Sequence, residues 1–433
     1  MRFSPLHSSS GRISFRAADR ARTAIARALE IDAATLETIF TQFDAGRIAA
    51  NAAALDKFKD QGPLAGLLVS IKDLFDEAGI VTTAGSKVLA ESPAAEADAE
   101  PVSRLKHAGA IACGRTTMSE FAYSGVGLNP HFGNPGNSRD GKRITGGSTS
   151  GGALTVALGI ADVALGSDTG GSVRIPAALN GLAGFKPTQS AVPLDGAFPL
   201  SGTYDSIGPL AHSIEACAAV HSILSGSEPQ VAQRKTLRIG VMRGPLLEGL
   251  DEQVSRDFER ALSQLGDGDF EIAEVDFSGL DGFAEVNRII VACDAHRIHE
   301  NHLDKLETLG DPRVLKRIRA AQTFTAGDEK KARAKRARAV LEFAEQAKNF
   351  DVFAVPTLPV VAPLTADVEA DFDRLNGLML RNPSAINFLD GCAATIPMQG
   401  DETLATGLML FADAGRDWQV LDAARRAERI LRS

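Results

Sequence analysis

The sequence predicts an α/β fold organised as one large unit, residues 1–433. Three observations carry that prediction. Short apolar runs bounded by glycine and proline turns have the length of buried strands, as in Leu67-Leu68-Val69-Ser70-Ile71 after Gly62-Pro63-Leu64-Ala65-Gly66. Longer segments elsewhere place apolar residues at helical spacing, most clearly from Glu252 to Leu265. The chain has 433 residues and is 44% hydrophobic, enough for a sizeable core. Large α/β enzymes reach this length as single units.

The elements follow in order. From Ala17 to Lys59 alanine-rich stretches with charges at helical spacing predict two or three packing helices, with Asp32 as an N-cap. Lys72 then closes the first buried strand. Val102, Leu105 and Ala108 recur at helical spacing before Ala110-Ile111-Ala112 enters a strand. Asn129-Pro130 and Asn134-Pro135-Gly136 mark a long ordered loop. His131 in that loop reads as a solvated histidine. Leu237 to Val241 begins a second strand–helix run, and Gly327 to Asn349 reads as a helix with six basic residues between Lys330 and Arg338. Alanines between those charges make it a solvated face rather than a nucleic-acid contact. Asp351 to Pro359 and Gly407 to Phe411 supply further strands. This divides the chain into N-terminal helices (1–60), a core segment (61–220), and a second part of the sheet with C-terminal helices (221–433).

Charge and cysteine usage exclude several classes. Lys and Arg number 46 against 55 Asp and Glu, a net −9, which argues against a general binder of nucleic acid or anionic membrane. Cys113, Cys217, Cys293 and Cys392 have no CxxC spacing and read as small buried groups, neither zinc ligands nor a disulfide framework. The opening MRFSPLHSSSGRISFR lacks the apolar run of a secretory signal, and no stretch approaches the roughly 18 apolar residues of a membrane span. A cytoplasmic protein is expected, and a homodimer is left open.

Chemistry is concentrated between Gly146 and Ser172. Two glycine-rich, hydroxyl-bearing turns bracket an apolar middle, Ala153 to Leu165. Glycine is needed where main chain must approach a ligand closely, and serine where a base can activate a small hydroxyl. A flexible linker would not carry an apolar insert. No Gly-Lys-Ser or Gly-Lys-Thr exists to make a phosphate loop, and Gly125 and Gly127 lead into Asn-Pro rather than a dinucleotide turn. Thr149 occupies the centre of the one GxSxG-like position, between Gly147 and Gly151. Ser103-Arg104-Leu105-Lys106 fits SxxK, but no SDN or KTG accompanies it.

The stretch resembles the amidase signature family. The motifs read Gly146-Gly147-Ser148-Thr149-Ser150-Gly151-Gly152 and Gly166-Ser167-Asp168-Thr169-Gly170-Gly171-Ser172, and upstream Ser70-Ile71-Lys72-Asp73 supplies the family's lysine. Later landmarks are Gly184-Phe185-Lys186-Pro187-Thr188 and Asp205-Ser206-Ile207-Gly208-Pro209. The departure is Thr149, where most members have serine; it keeps a hydroxyl but adds a methyl to the turn.

The resemblance implies a central mixed β-sheet covered by helices on both faces. It also implies hydrolysis of a carboxylic acid amide through an acyl-enzyme. It assigns Ser172 as nucleophile, Ser148 as bridging serine after a cis Gly147–Ser148 bond, and Lys72 as base in preference to His131. Main-chain N–H groups near Thr169, Gly170, Gly171 and Ser172 are expected to hold the oxyanion, while Thr149, Asp168 and Arg174 support the loop. Asp73, adjacent to Lys72 on a strand, is expected to face away from the amine. No metal or organic cofactor is needed, and the implied partner is a small-molecule amide. Segments Met118 to His131 and Asp371 to Cys392 are expected to form the pocket, with malonamate-like acids, aryl amides, peptide amides and ureido compounds all open. The family also includes the amidase component of tRNA-dependent amidotransferases, and a catalytically silent binding protein would keep the same fold.

Overall fold

The computed structural model describes residues 16–432 apart from 59–60, 230–233 and 399–403. The opening segment read above for a secretory signal lies almost wholly outside the described residues. Eleven strands form one mixed sheet: β1 (Phe40–Gln42), β2 (Leu68–Lys72), β3 (Ile111–Thr116), β4 (Val163–Asp168), β5 (Ala183–Lys186), β6 (Ser206–Ala211), β7 (Leu237–Met242), β8 (Phe270–Val275), β9 (Val352–Pro356), β10 (Cys392–Pro397) and β11 (Gly407–Ala412). Their order across the sheet is β1-β3-β2-β4-β6-β5-β10-β11-β9-β7-β8. Helices flank it, as expected for the α/β class.

Local chemistry explains the elements. Leu68 to Lys72 is buried at every position, so its side chains pack on both faces of the sheet. The Asp32 carboxylate accepts the Thr35 N–H at 3.0 Å and starts the helix Ala33–Ile39, the cap expected from sequence. Thr325 and Asp328 form a reciprocal capping box at the head of Ala326–Ala347, the basic helix. Glu252–Gly266 sets Val254, Phe258, Ala261 and Leu265 against the core, the periodic face the sequence showed.

The sheet brings distant segments together. β2 runs parallel to β4, with Ile71 opposite Leu165. β4 then pairs antiparallel with β6, Asp168 opposite Ser206. Lys72, the turn after Asp168 and the residues preceding Ser206 therefore share one end of three neighbouring strands. That end, where β2 and β4 both point, is where open α/β sheets form their crevices. Among the described residues no helix is long and apolar enough to cross a membrane.

Candidate active site

Lys72 is delivered to this end by the strand it terminates, with no solvent exposure. Its Nζ lies 2.7 Å from Ser148 Oγ and 2.9 Å from Ser167 Oγ. Burial pulls the amine down from 10.5 to about 7, while the charges of Asp168 and Asp205 work in the opposite direction. Asp73 faces away, its carboxylate accepting the Arg115 Nε–H at 2.9 Å.

Ser148 follows a cis Gly147–Ser148 peptide bond. Its carbonyl accepts the Ser119 N–H at 3.2 Å, and the Gly147 N–H donates to the Gly125 carbonyl at 2.9 Å. A side chain at 147 would place its Cβ 2.6 Å from the Gly127 nitrogen, so glycine is required by close approach of two main chains.

Ser172 lies between β4 and the short helix Arg174–Leu179 and is 3% exposed. The main chain joins it to the first turn, the Thr149 N–H donating to the Ser172 carbonyl at 3.3 Å. Lys72 and Ser148 thus meet side chain to side chain, and Ser172 is tied to them through the residue after Ser148. Asp168 and Arg174 brace this loop from inside. The guanidinium donates to both carboxylate oxygens, at 2.8 and 3.1 Å, and both side chains are fully buried. Burial alone would raise the Asp168 carboxyl, but Arg174, with Lys186 and Asn387 behind it, outweighs burial and holds the group at about 2. Asn387 completes the knot, its Oδ1 accepting from Arg174 at 2.6 Å and its Nδ2 donating to Asp168 at 3.0 Å.

Residues 21–421 match the family described as Amidase. The chain belongs to the amidase family. A 2-amino-5-chloromuconic acid deaminase of Comamonas testosteroni is 30% identical over 410 residues, covering 90% of this chain and 88% of that protein. One component of the glutamyl-tRNA(Gln) amidotransferase of Methanothermobacter thermautotrophicus is 32% identical over 430 residues, covering 94% and 89%. A crystal structure of an amidase superposes with a TM-score of 0.87 at 31% identity, covering 96% of each chain.

In this amidase-family chain one main-chain N–H expected to hold the oxyanion is already used elsewhere. Gly171 was expected to offer its N–H, but that group donates to Asp168 Oδ1 at 2.8 Å. The glycine is still required, since φ is +127° and a Cβ would sit 2.5 Å from the Pro383 Cβ. Thr149 also has a cost that its letter did not reveal. Its Oγ1 is buried and has no hydrogen-bond partner.

His131 is corrected more fully. It is not solvated: its side chain is 7% exposed and Nε2 lies 2.8 Å from Glu120 Oε1. The Asn129 side-chain oxygen takes the His131 N–H at 2.8 Å and turns the loop inward, where the buried Glu120 carboxylate needs donors. The Ser86 hydroxyl and the Asp311 N–H supply two more, both at 2.6 Å.

The two segments expected to form the pocket touch one another, but the cavity near Lys72 takes only Ala122 from the first and no residue from the second. Asn376 Oδ1, on the helix Phe372–Phe388, accepts the Gly125 N–H at 2.9 Å. A cavity of about 40 Å³ lies beside the Lys72 partner, lined by Leu74, Ala122, Ser167, Thr169, Phe198 and Asp205. Sequence reading assigned no role to Ser167, Asp205 or Asn387. The first two sat inside quoted motifs, so position was a signal; Asn387 gave none. Among the described residues no three His, Cys, Asp or Glu side chains gather as metal ligands.

Proposed function

We propose that this amidase-family chain hydrolyses a small carboxylic acid amide through Lys72, Ser148 and Ser172. The observation that carries the reading is the fully buried amine at about 7, in direct contact with Ser148. A lysine in that state is neutral in a large fraction of molecules near pH 7 and can accept a proton.

Neutral Lys72 takes a proton relayed by Ser148 from Ser172, whose Oγ attacks the amide carbon. The N–H groups of Thr169, Gly170 and Ser172 hold the negative oxygen, and Gly171 contributes through the bond that fixes Asp168. Ser148 returns the proton to the leaving nitrogen, and the C–N bond breaks. Water then enters, gives its proton to the same relay, and releases the carboxylate from Ser172. Of these contacts the Lys72–Ser148 hydrogen bond is formed in advance at 2.7 Å, and holding reacting groups ready in this way is where such sites gain much of their rate.

Ammonia release from a panel of small amides tests the reading, and the deaminase relative adds amino-substituted unsaturated acids to that panel. Ser172→Ala is expected to abolish turnover while the protein stays folded. The wild-type rate should climb as pH rises through about 7, because the neutral amine is the working form. Full activity in the alanine variant would end the assignment. A second reading, a component of an amidotransferase, is favoured by relatives such as the Methanothermobacter protein. Hydrolysis by the purified chain alone supports the first reading, and activity only with an added partner chain supports the second.

A further inference from the structure

Asp205 is a buried carboxylate, 7% exposed, with no lysine or arginine ion pair among the described residues. Burying a charge in that way is unfavourable unless other groups compensate. Its partners are specific. Oδ1 accepts the Thr169 hydroxyl at 2.5 Å, and Oδ2 accepts the N–H groups of Leu200 and Ser201 at 2.9 and 3.0 Å.

The placement follows from the ladder. β4 and β6 pair antiparallel until Asp168 faces Ser206. The next pair outward is Thr169 and Asp205, where a side-chain bond continues the pairing. Thr169 is the first residue of the main-chain cradle proposed above. We propose that Asp205 is a positioning residue, fixing the cradle through the Thr169 hydroxyl and setting the charge felt by Lys72. This rests on the reading of Lys72 as base and Ser172 as nucleophile.

The charged groups around Asp205 are few. Lys72, at the end of β2, acts on it, and Asp168, at the end of β4, is the other carboxylate that acts on Lys72. Behind it, Ser201 and Thr203 donate to Asp294 at 2.6 and 2.7 Å, and Asp294 is paired with Arg333 at 2.6 Å. Arg336 lies over the Tyr204 ring, 4.7 Å from its centre. Burial pushes the Asp205 carboxyl up to about 6, against the pull of Thr169, the two amides and Lys72. Its charge therefore changes just below the pH range in which Lys72 releases its proton. A charged Asp205 favours the ammonium form, so removing that charge lets Lys72 lose its proton at lower pH.

The test uses the full chain and an alkyl fluorophosphonate, which reports Ser172 without knowledge of the substrate. The second-order labelling rate is followed against pH for wild type, Ser172→Ala, Thr169→Val, Thr169→Ser and Asp205→Asn. Thr169→Val is expected to slow labelling roughly tenfold at every pH with an unmoved midpoint, short of the ~100-fold or greater loss of a whole cradle donor. Thr169→Ser should restore most of the rate. Asp205→Asn should move the midpoint down by at least about half a pH unit.

A merely structural Asp205 would change melting temperature but neither the midpoint nor the valine–serine contrast. Folded Thr169→Val and Asp205→Asn proteins that label like wild type would overturn the proposal. If Asp205→Asn does not fold, the Thr169 pair decides. Labelling that survives Ser172→Ala would instead remove the underlying reading, and the two failures are distinct.

Discussion

Replacing Lys72 by methionine separates the cost of the buried amine from its chemical use. Folding takes the group from 10.5 to about 7. Between those values the unfolded chain keeps a proton that the folded chain has released, so wild-type stability climbs with pH across the window. The interval of about 3.5, at roughly 1.4 kcal/mol per pH unit, amounts to about 5 kcal/mol as an order of magnitude. Lys72→Met lacks this slope. It also leaves the Ser148 and Ser167 hydroxyls without the amine, a loss of ~1–3 kcal/mol each that does not vary with pH. The assay is urea unfolding followed by the fluorescence of Trp418, the one tryptophan, from about pH 7 to about pH 10. Subtracting the variant from the wild type cancels the other titrating groups. The wild type should gain several kcal/mol on the variant across that range. Parallel curves would mean that the folded amine still holds its proton near pH 10, and Lys72 could not then act as a base at neutral pH.

Two further substitutions probe the frame of the site. Arg174→Met leaves the Asp168 carboxylate buried without its ion pair and should cost ~3–5 kcal/mol by thermal or urea unfolding; a change below about 1 kcal/mol would show that Asn387 and the Gly171 and Val173 N–H groups satisfy the charge without the guanidinium. Thr149→Val removes a buried hydroxyl that has no partner, so stability should not fall and should rise by up to ~1–3 kcal/mol. A loss above about 2 kcal/mol would show that this hydroxyl is bonded in solution.

The strands were legible where the chain is apolar and bounded by turn residues. Leu68–Lys72, Leu237–Met242, Val352–Pro356 and Gly407–Ala412 fall within a residue or two of their expected positions, except that Thr357 to Pro359 leave the sheet after β9. β1 was hidden, because Phe40–Gln42 runs straight out of a helix with no glycine or proline to mark the change. Lys72, Ser148 and Ser172 could be chosen because they sit in long, ordered motifs. Asp205 could not be given a role, since its link to Thr169, 36 positions away, depends on the antiparallel register that sets Asp168 opposite Ser206, which no local pattern encodes. His131 was misjudged for a different reason. Its partner Glu120 is near in sequence, but the inward turn that joins them is made by Asn129.

The knot of Asp168, Arg174 and Asn387 has a consequence for the order in which the protein is made. The ribosome releases Lys72, Ser148 and Ser172 early, yet the asparagine that locks their loop comes 219 positions after Asp168. An unfinished chain therefore displays every letter of the motif without the clamp that immobilises it. A truncation just ahead of the helix Phe372–Phe388 would pass any motif scan and still lack the part that sets the loop.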